Sequence, residues 1–122
     1  MGRTYVFDCE KCGYRAVVSG GLAKGLEVVA QTISCIDCRS LRDVVIALKV
    51  PVDESPTTSG PPLEEVINRL QSHDRGPLRW DRFELVCAVD SDHKVREWHQ
   101  PDKCPVCGAF LEPSGLPYAV WD

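Results

Sequence analysis

Six of the seven cysteines stand in three pairs of identical spacing: Cys9-Glu10-Lys11-Cys12, Cys35-Ile36-Asp37-Cys38 and Cys104-Pro105-Val106-Cys107. Cys87 stands alone. Two residues between cysteines let the chain turn so that both sulfurs face one ion about 2.3 Å away, while amides within the turn donate to the thiolates. Gly13 and Gly108 follow two of the pairs, where the backbone must leave the turn with positive φ, whereas Arg39 follows the third. A disulfide framework fits an odd cysteine count and a signal-free chain poorly. A thioredoxin-like pair needs a helix behind it in a βαβ setting, and none of the three pairs has one. Unligated buried thiols leave the repeated spacing unexplained, so metal ligation is the chemistry these residues point to.

Cys9, Cys12, Cys35 and Cys38 lie in one short stretch with 22 residues between the pairs, and they supply a complete four-sulfur tetrahedron. Joining Cys9 and Cys12 to Cys104 and Cys107 instead closes a loop of 91 residues. That costs about 1.3 kcal/mol more by the logarithmic loop term, and the joined pairs stand on opposite sides of a proline-rich segment. The first expected site is therefore Cys9, Cys12, Cys35 and Cys38. The second draws on Cys87, Cys104 and Cys107 with a fourth ligand from Asp90, His93 or His99, or with none. Asp90 holds the i, i+3 position that a second cysteine would occupy after Cys87, and His93 is the alternative as the better zinc ligand.

A closed four-thiolate site has no place for a reactive water, so its role is structural. Metal catalysis would need the second site to keep an open position. His73, His93 and His99 form no constellation recognisable as nucleophilic or acid–base machinery. The stretch Gly20-Gly21-Leu22-Ala23-Lys24-Gly25 has the composition of a phosphate loop without its spacing and reads as a hairpin loop. No catalytic residue is assigned, and the chain is expected not to be an enzyme.

With these residues in place, the sequence resembles the zinc-ribbon class, in which two knuckles at the tips of β-hairpins clamp one zinc. CEKCG and CIDC carry the resemblance over residues 9–38. CAVD, Trp98 and CPVCG carry it more loosely over residues 87–108, with Asp90 in place of a cysteine. The resemblance implies two zinc ions. It also implies one of the uses of that scaffold, as a nucleic-acid binder, a transcription accessory factor, an enzyme subunit or a protein adaptor.

The elements that must position these ligands read as mostly β. Runs at 3–7, 14–18, 26–34 and 44–50 suit strands, with Ser19-Gly20-Gly21 as a turn. Residues 51–62 hold four prolines and read as a linker. Leu63, Val66, Ile67 and Leu70 mark one face of a short helix over 63–70, and Phe83–Val89 alternates as a strand. The expected fold is small, mostly β and metal-stabilised. An N-terminal ribbon (1–50) and a ribbon-like unit with helix and tail (63–122) are joined by the linker at 51–62.

A chain of 122 residues with three each of Phe, Tyr and Trp has little apolar surface to bury, so crosslinks or metal must help hold it together. The net charge of −4 divides into +2 for residues 1–50 (7 basic, 5 acidic) and −6 for 51–122 (7 basic, 13 acidic). That balance disfavours sequence-independent binding to phosphate backbones. Lys11, Arg15, Lys24, Arg39 and Arg42 are the candidates for a local basic face, with Tyr14 available for stacking. No run is apolar and long enough for an export signal or a membrane helix. The expectation is a cytoplasmic, bacterial, two-zinc protein that binds an unidentified protein partner, with DNA or RNA binding by the N-terminal basic face as the alternative and no membrane association.

Overall fold

In a computed structural model, residues 2–52, 61–63, 65–66, 77–113, 115 and 117–121 are described. The expected linker falls largely outside them. Of the expected helix, Leu63, Glu65 and Val66 are helical and the rest falls outside the described residues.

Among the described residues, ten strands form three sheets. The first sheet holds β1 (Gly2–Asp8) between β2 (Arg15–Val18) and β10 (Ala119–Trp121), all antiparallel. The second is built on β4 (Val28–Cys35) and β5 (Ser40–Pro51), the β-branched, apolar runs that suit a sheet buried on one face. β3 (Leu22–Lys24) and β7 (Val95–Glu97) pair with successive stretches of β4, and β6 (Leu78–Arg82) pairs with β5. β8 (Asp102–Lys103) and β9 (Phe110–Leu111) form a small hairpin.

Several strand assignments differ from the sequence reading, and β7 to β10 form where no strand was expected. Residues 22–24 form β3 where a loop was expected. The strand expected at 83–89 lies earlier, at 78–82: the Phe83 amide makes a last bond to the Ile46 carbonyl (2.8 Å), and the chain then leaves the sheet towards Cys87.

The apolar residues gather in two clusters. Val28, Ala30, Val45, Leu48 and Val50 from the second sheet pack with Leu63 and Val66. Phe7, Val18, Leu41, Trp98 and Leu111 form the other, together with Cys9 and Cys104. Trp98 is fully buried, meets Phe7 edge-on at 5.2 Å and donates its indole N–H to the Lys103 carbonyl at 2.8 Å.

Sheet pairing runs across the expected division at 51–62: β10 completes the N-terminal sheet, β7 extends β4, and β6 lies on β5, so the C-terminal half supplies strands to both sheets of the N-terminal half.

A buried polar network locks the turn at 19–21 to the second sheet. The Asp43 carboxylate accepts from the Ser19 amide (2.9 and 3.1 Å), the Ser19 hydroxyl (2.9 Å) and the Thr32 hydroxyl (2.6 Å). Thr32 Oγ1 in turn accepts from the Gly20 and Gly21 amides. Gly20 has φ +86°, and a Cβ there would stand 2.7 Å from Phe7, so this position needs glycine. Burial pushes the Asp43 carboxyl up, opposed by the donors from Thr32 and Ser19. Asp43→Ala strips these donors of their acceptor. The expected cost is about 3 kcal/mol, seen as a lower denaturation midpoint at unchanged m-value.

Candidate metal centres

Each Cys-x-x-Cys pair closes a hairpin. The first lies between Asp8 and Arg15, which pair across β1 and β2; the last lies between Lys103 and Phe110, which pair across β8 and β9. The middle pair closes the turn from β4 to β5, where Cys35 pairs with Ser40. The backbone is the same in all three. The residue after the second cysteine donates to the carbonyl of the first: Gly13 to Cys9 (2.8 Å), Arg39 to Cys35 (2.8 Å) and Gly108 to Cys104 (3.0 Å). Those residues have φ of 81°, 53° and 82°, so the positive φ expected for the two glycines holds for Arg39 as well.

The knuckles assemble in a nested order. Cys9 and Cys12 gather with Cys104 and Cys107; Cys35 and Cys38 gather with Cys87 and His93; within each set the ligand atoms lie within 4.8 Å of one another. This corrects the expected grouping of Cys9, Cys12, Cys35 and Cys38. The loop-closure bias against it, about 1.3 kcal/mol, is small beside the β1–β10 and β4–β7 ladders, which already bring the chain's ends and middle together.

Asp90 is not among the gathered ligands. Its carboxylate accepts from the Asp92 amide (2.9 Å) and its carbonyl from the His93 amide (3.1 Å), so it shapes the turn that delivers His93. The ladder then holds the histidine in place. The Lys94 amide donates to Asp37 (2.8 Å), the Ile36 amide donates to the Lys94 carbonyl (2.9 Å), and β7 starts one residue later against Cys35. His99 lies elsewhere, 3.4 Å from Glu97, and His73 is outside the described residues.

The distances suit a tetrahedral ion. Bonds of about 2.3 Å to sulfur and about 2.05 Å to nitrogen place neighbouring sulfurs about 3.8 Å apart, and sulfur and nitrogen about 3.6 Å apart. In the outer set, Cys9–Cys107 is 3.5 Å and Cys12–Cys104 is 3.7 Å. In the inner set, Cys38–Cys87 is 3.7 Å, and His93 Nδ1 stands 3.7 Å from Cys35 and 3.4 Å from Cys38. Amides turn towards the sulfurs, from Cys38 to Cys35 (3.3 Å) and from Val106 to Cys104 (3.4 Å). These donors are what thiolates, not thiols, would use.

Proton affinities within each set diverge. The Cys12 amide, outweighing burial, brings the Cys9 thiol down to about 7. At Cys12 a hydrogen bond donated by the Tyr14 backbone amide is overcome by burial and by the neighbouring sulfurs, which push the thiol up to about 12. In the inner set Cys35 and burial raise Cys38 to about 11. At Cys87, burial is outweighed by the Asp90 and Val89 amides and by His93, and the thiol falls to about 6. Hydrogen bonding to Cys87 raises His93. Several thiolates crowded this closely repel one another unless a cation replaces their protons, so metal binding here releases protons and weakens as pH falls.

The basic residues singled out in the N-terminal segment are in part engaged within the chain. Arg15 pairs with Asp8 (3.4 Å), and Arg39 donates to the Val106 carbonyl (2.6 Å). The Tyr14 hydroxyl accepts from the Leu41 amide (2.8 Å), and its ring packs against the cluster around Trp98.

The fold and site thus define a small, mostly-β protein with two Cys-x-x-Cys-based clusters able to hold metal ions, consistent with zinc-ribbon-like units. No family model matches the chain, and neither a similar curated protein nor a similar solved structure was found. No helix among the described residues is long and apolar enough to cross a membrane.

Proposed function

We propose that the chain binds two zinc ions as structural elements and serves as a non-catalytic protein-interaction module or accessory subunit. The observation that carries this reading is that both clusters already present four protein ligands. The outer cluster offers four cysteines, and the inner cluster offers three cysteines and one histidine. Either set fills a tetrahedral shell and leaves no position for a reactive water. Large apolar side chains remain at the surface, Phe110 and Tyr118 each at 69% exposure, and supply contact area of the kind that protein interfaces use. Nucleic-acid binding is the weaker reading, because Arg15 and Arg39 are engaged within the chain and the net charge is −4.

Elemental analysis of the purified protein is expected to give two zinc ions per chain, followed by specific capture of a protein partner that Phe110→Ser or Tyr118→Ser weakens. A stoichiometry below two overturns the zinc assignment. Oligonucleotide binding that falls steeply with salt, without capture of a protein, overturns the interaction reading in favour of nucleic acid.

A further inference from the structure

Arg39 is the exception in an otherwise repeated design. The same left-handed position is glycine in the first and last knuckles, and a side chain there strains the backbone. The side chain offers a compensating contact. It leaves the Cys35–Cys38 knuckle of the inner set and donates from its guanidinium to the Val106 carbonyl at 2.6 Å. Val106 lies between Cys104 and Cys107 in the outer set, and its own amide points at Cys104 Sγ. One side chain thereby joins the residue next to an inner ligand to the peptide that shapes an outer knuckle.

We infer that Arg39 couples the two metal sites, so that filling the inner cluster strengthens metal binding at the outer one, and the reverse. This rests on the metal-binding reading above and adds a dependence between the sites that four separate ligands at each would not create. The physical route is direct. An ion at Cys35, Cys38, Cys87 and His93 fixes the backbone that carries Arg39, and Arg39 then holds the Val106 carbonyl in the orientation the outer knuckle needs. Coupling through two sites is reciprocal by linkage.

The test is a double-mutant cycle read as zinc affinity of the outer site by competition with a chromophoric chelator. His93→Ala, which removes an inner ligand, is expected to weaken the outer site about five-fold in the wild-type background, the lower end of ordinary coupling. In the Arg39→Gly background the same change is expected to leave the outer site unaltered. Glycine relieves the backbone strain, so this variant should fold. Arg39→Met keeps a side chain at the strained position but cannot donate, and it must uncouple the sites equally. An outer site indifferent to His93→Ala, or equally sensitive to it in the Arg39→Gly or Arg39→Met background, overturns the inference. Fewer than two zinc ions in the wild-type chain overturns the metal reading itself, so the two failures are told apart before the cycle is run.

Discussion

Cys104→Ser is expected to bind one metal ion instead of two and to lose the fold of the N-terminal sheet, far away in sequence. Cys104 is buried against Phe7, Cys9 and Trp98, and it shares the outer cluster with Cys9 and Cys12 of the β1–β2 hairpin. In small zinc modules the apparent binding energy is about 10 to 16 kcal/mol, as large as the whole stability of an ordinary domain, about 5 to 15 kcal/mol. Losing the outer ion would therefore remove more than the N-terminal sheet has to spare. Because Cys9 and Cys104 belong to the same cluster, Cys9→Ser should produce the same defect, and the double variant should be no worse than either single one. Amide hydrogen exchange along β1 and β10, with metal content measured on the same samples, reads the effect. Loss of one metal ion with an N-terminal sheet that stays protected would contradict the nested pairing and restore the grouping by sequence proximity, whereas retention of two ions would contradict both groupings.

The second large effect separates His93 from Asp90. His93→Ala takes Nδ1 from the inner cluster and is expected to lower the bound metal from two ions to one, or to leave an inner site so weak that a mild chelator empties it. Asp90→Ala is expected to keep both ions. It removes only the acceptor for the Asp92 amide, a turn contact whose loss should cost about 1 kcal/mol of stability. Elemental analysis of the two variants decides the matter: one metal in Asp90→Ala with two in His93→Ala would make the carboxylate the ligand.

These variants probe the point at which sequence reasoning reached its limit. The six paired cysteines were legible as candidate ligands, with Cys87 as the remaining thiol, because equal spacing in three pairs repeats a local geometry that short-range backbone rules impose: one turn, one carbonyl contact and one positive φ. The strands flanking the first two knuckles were legible for the same reason, since alternation and β-branched residues act over a few positions, whereas β8 and β9 around the third, two residues each, are too short to show either signal. The pairing of knuckles was not read correctly, although a signal was present. Gly13 and Gly108 mark the two knuckles that join in the outer set, and Arg39 marks the one that does not. The ordering by loop length ignored it, giving weight to an entropy difference of about 1.3 kcal/mol that two β-ladders easily exceed.

Asp90 drew attention because it stands three residues after Cys87, where a second cysteine would be. In the folded chain that position begins a turn, and the residue that joins the inner cluster is the histidine three residues further on, held beside Cys35 by the Lys94–Asp37 and Ile36–Lys94 hydrogen bonds. Neither contact can be read from residues 87–93 alone, because both partners come from the other half of the chain.

The sequence by itself determined the ligand chemistry, the knuckle geometry and the β character, since each depends on residues within a few positions of one another. The tertiary structure alone decided which knuckles gather in one cluster, which of Asp90 and His93 completes the inner set, and that strands of the C-terminal half complete the sheets of the N-terminal half. Those outcomes depend on β1 meeting β10 and β4 meeting β7, contacts between segments far apart in the chain whose energies arise only once the sheets have formed.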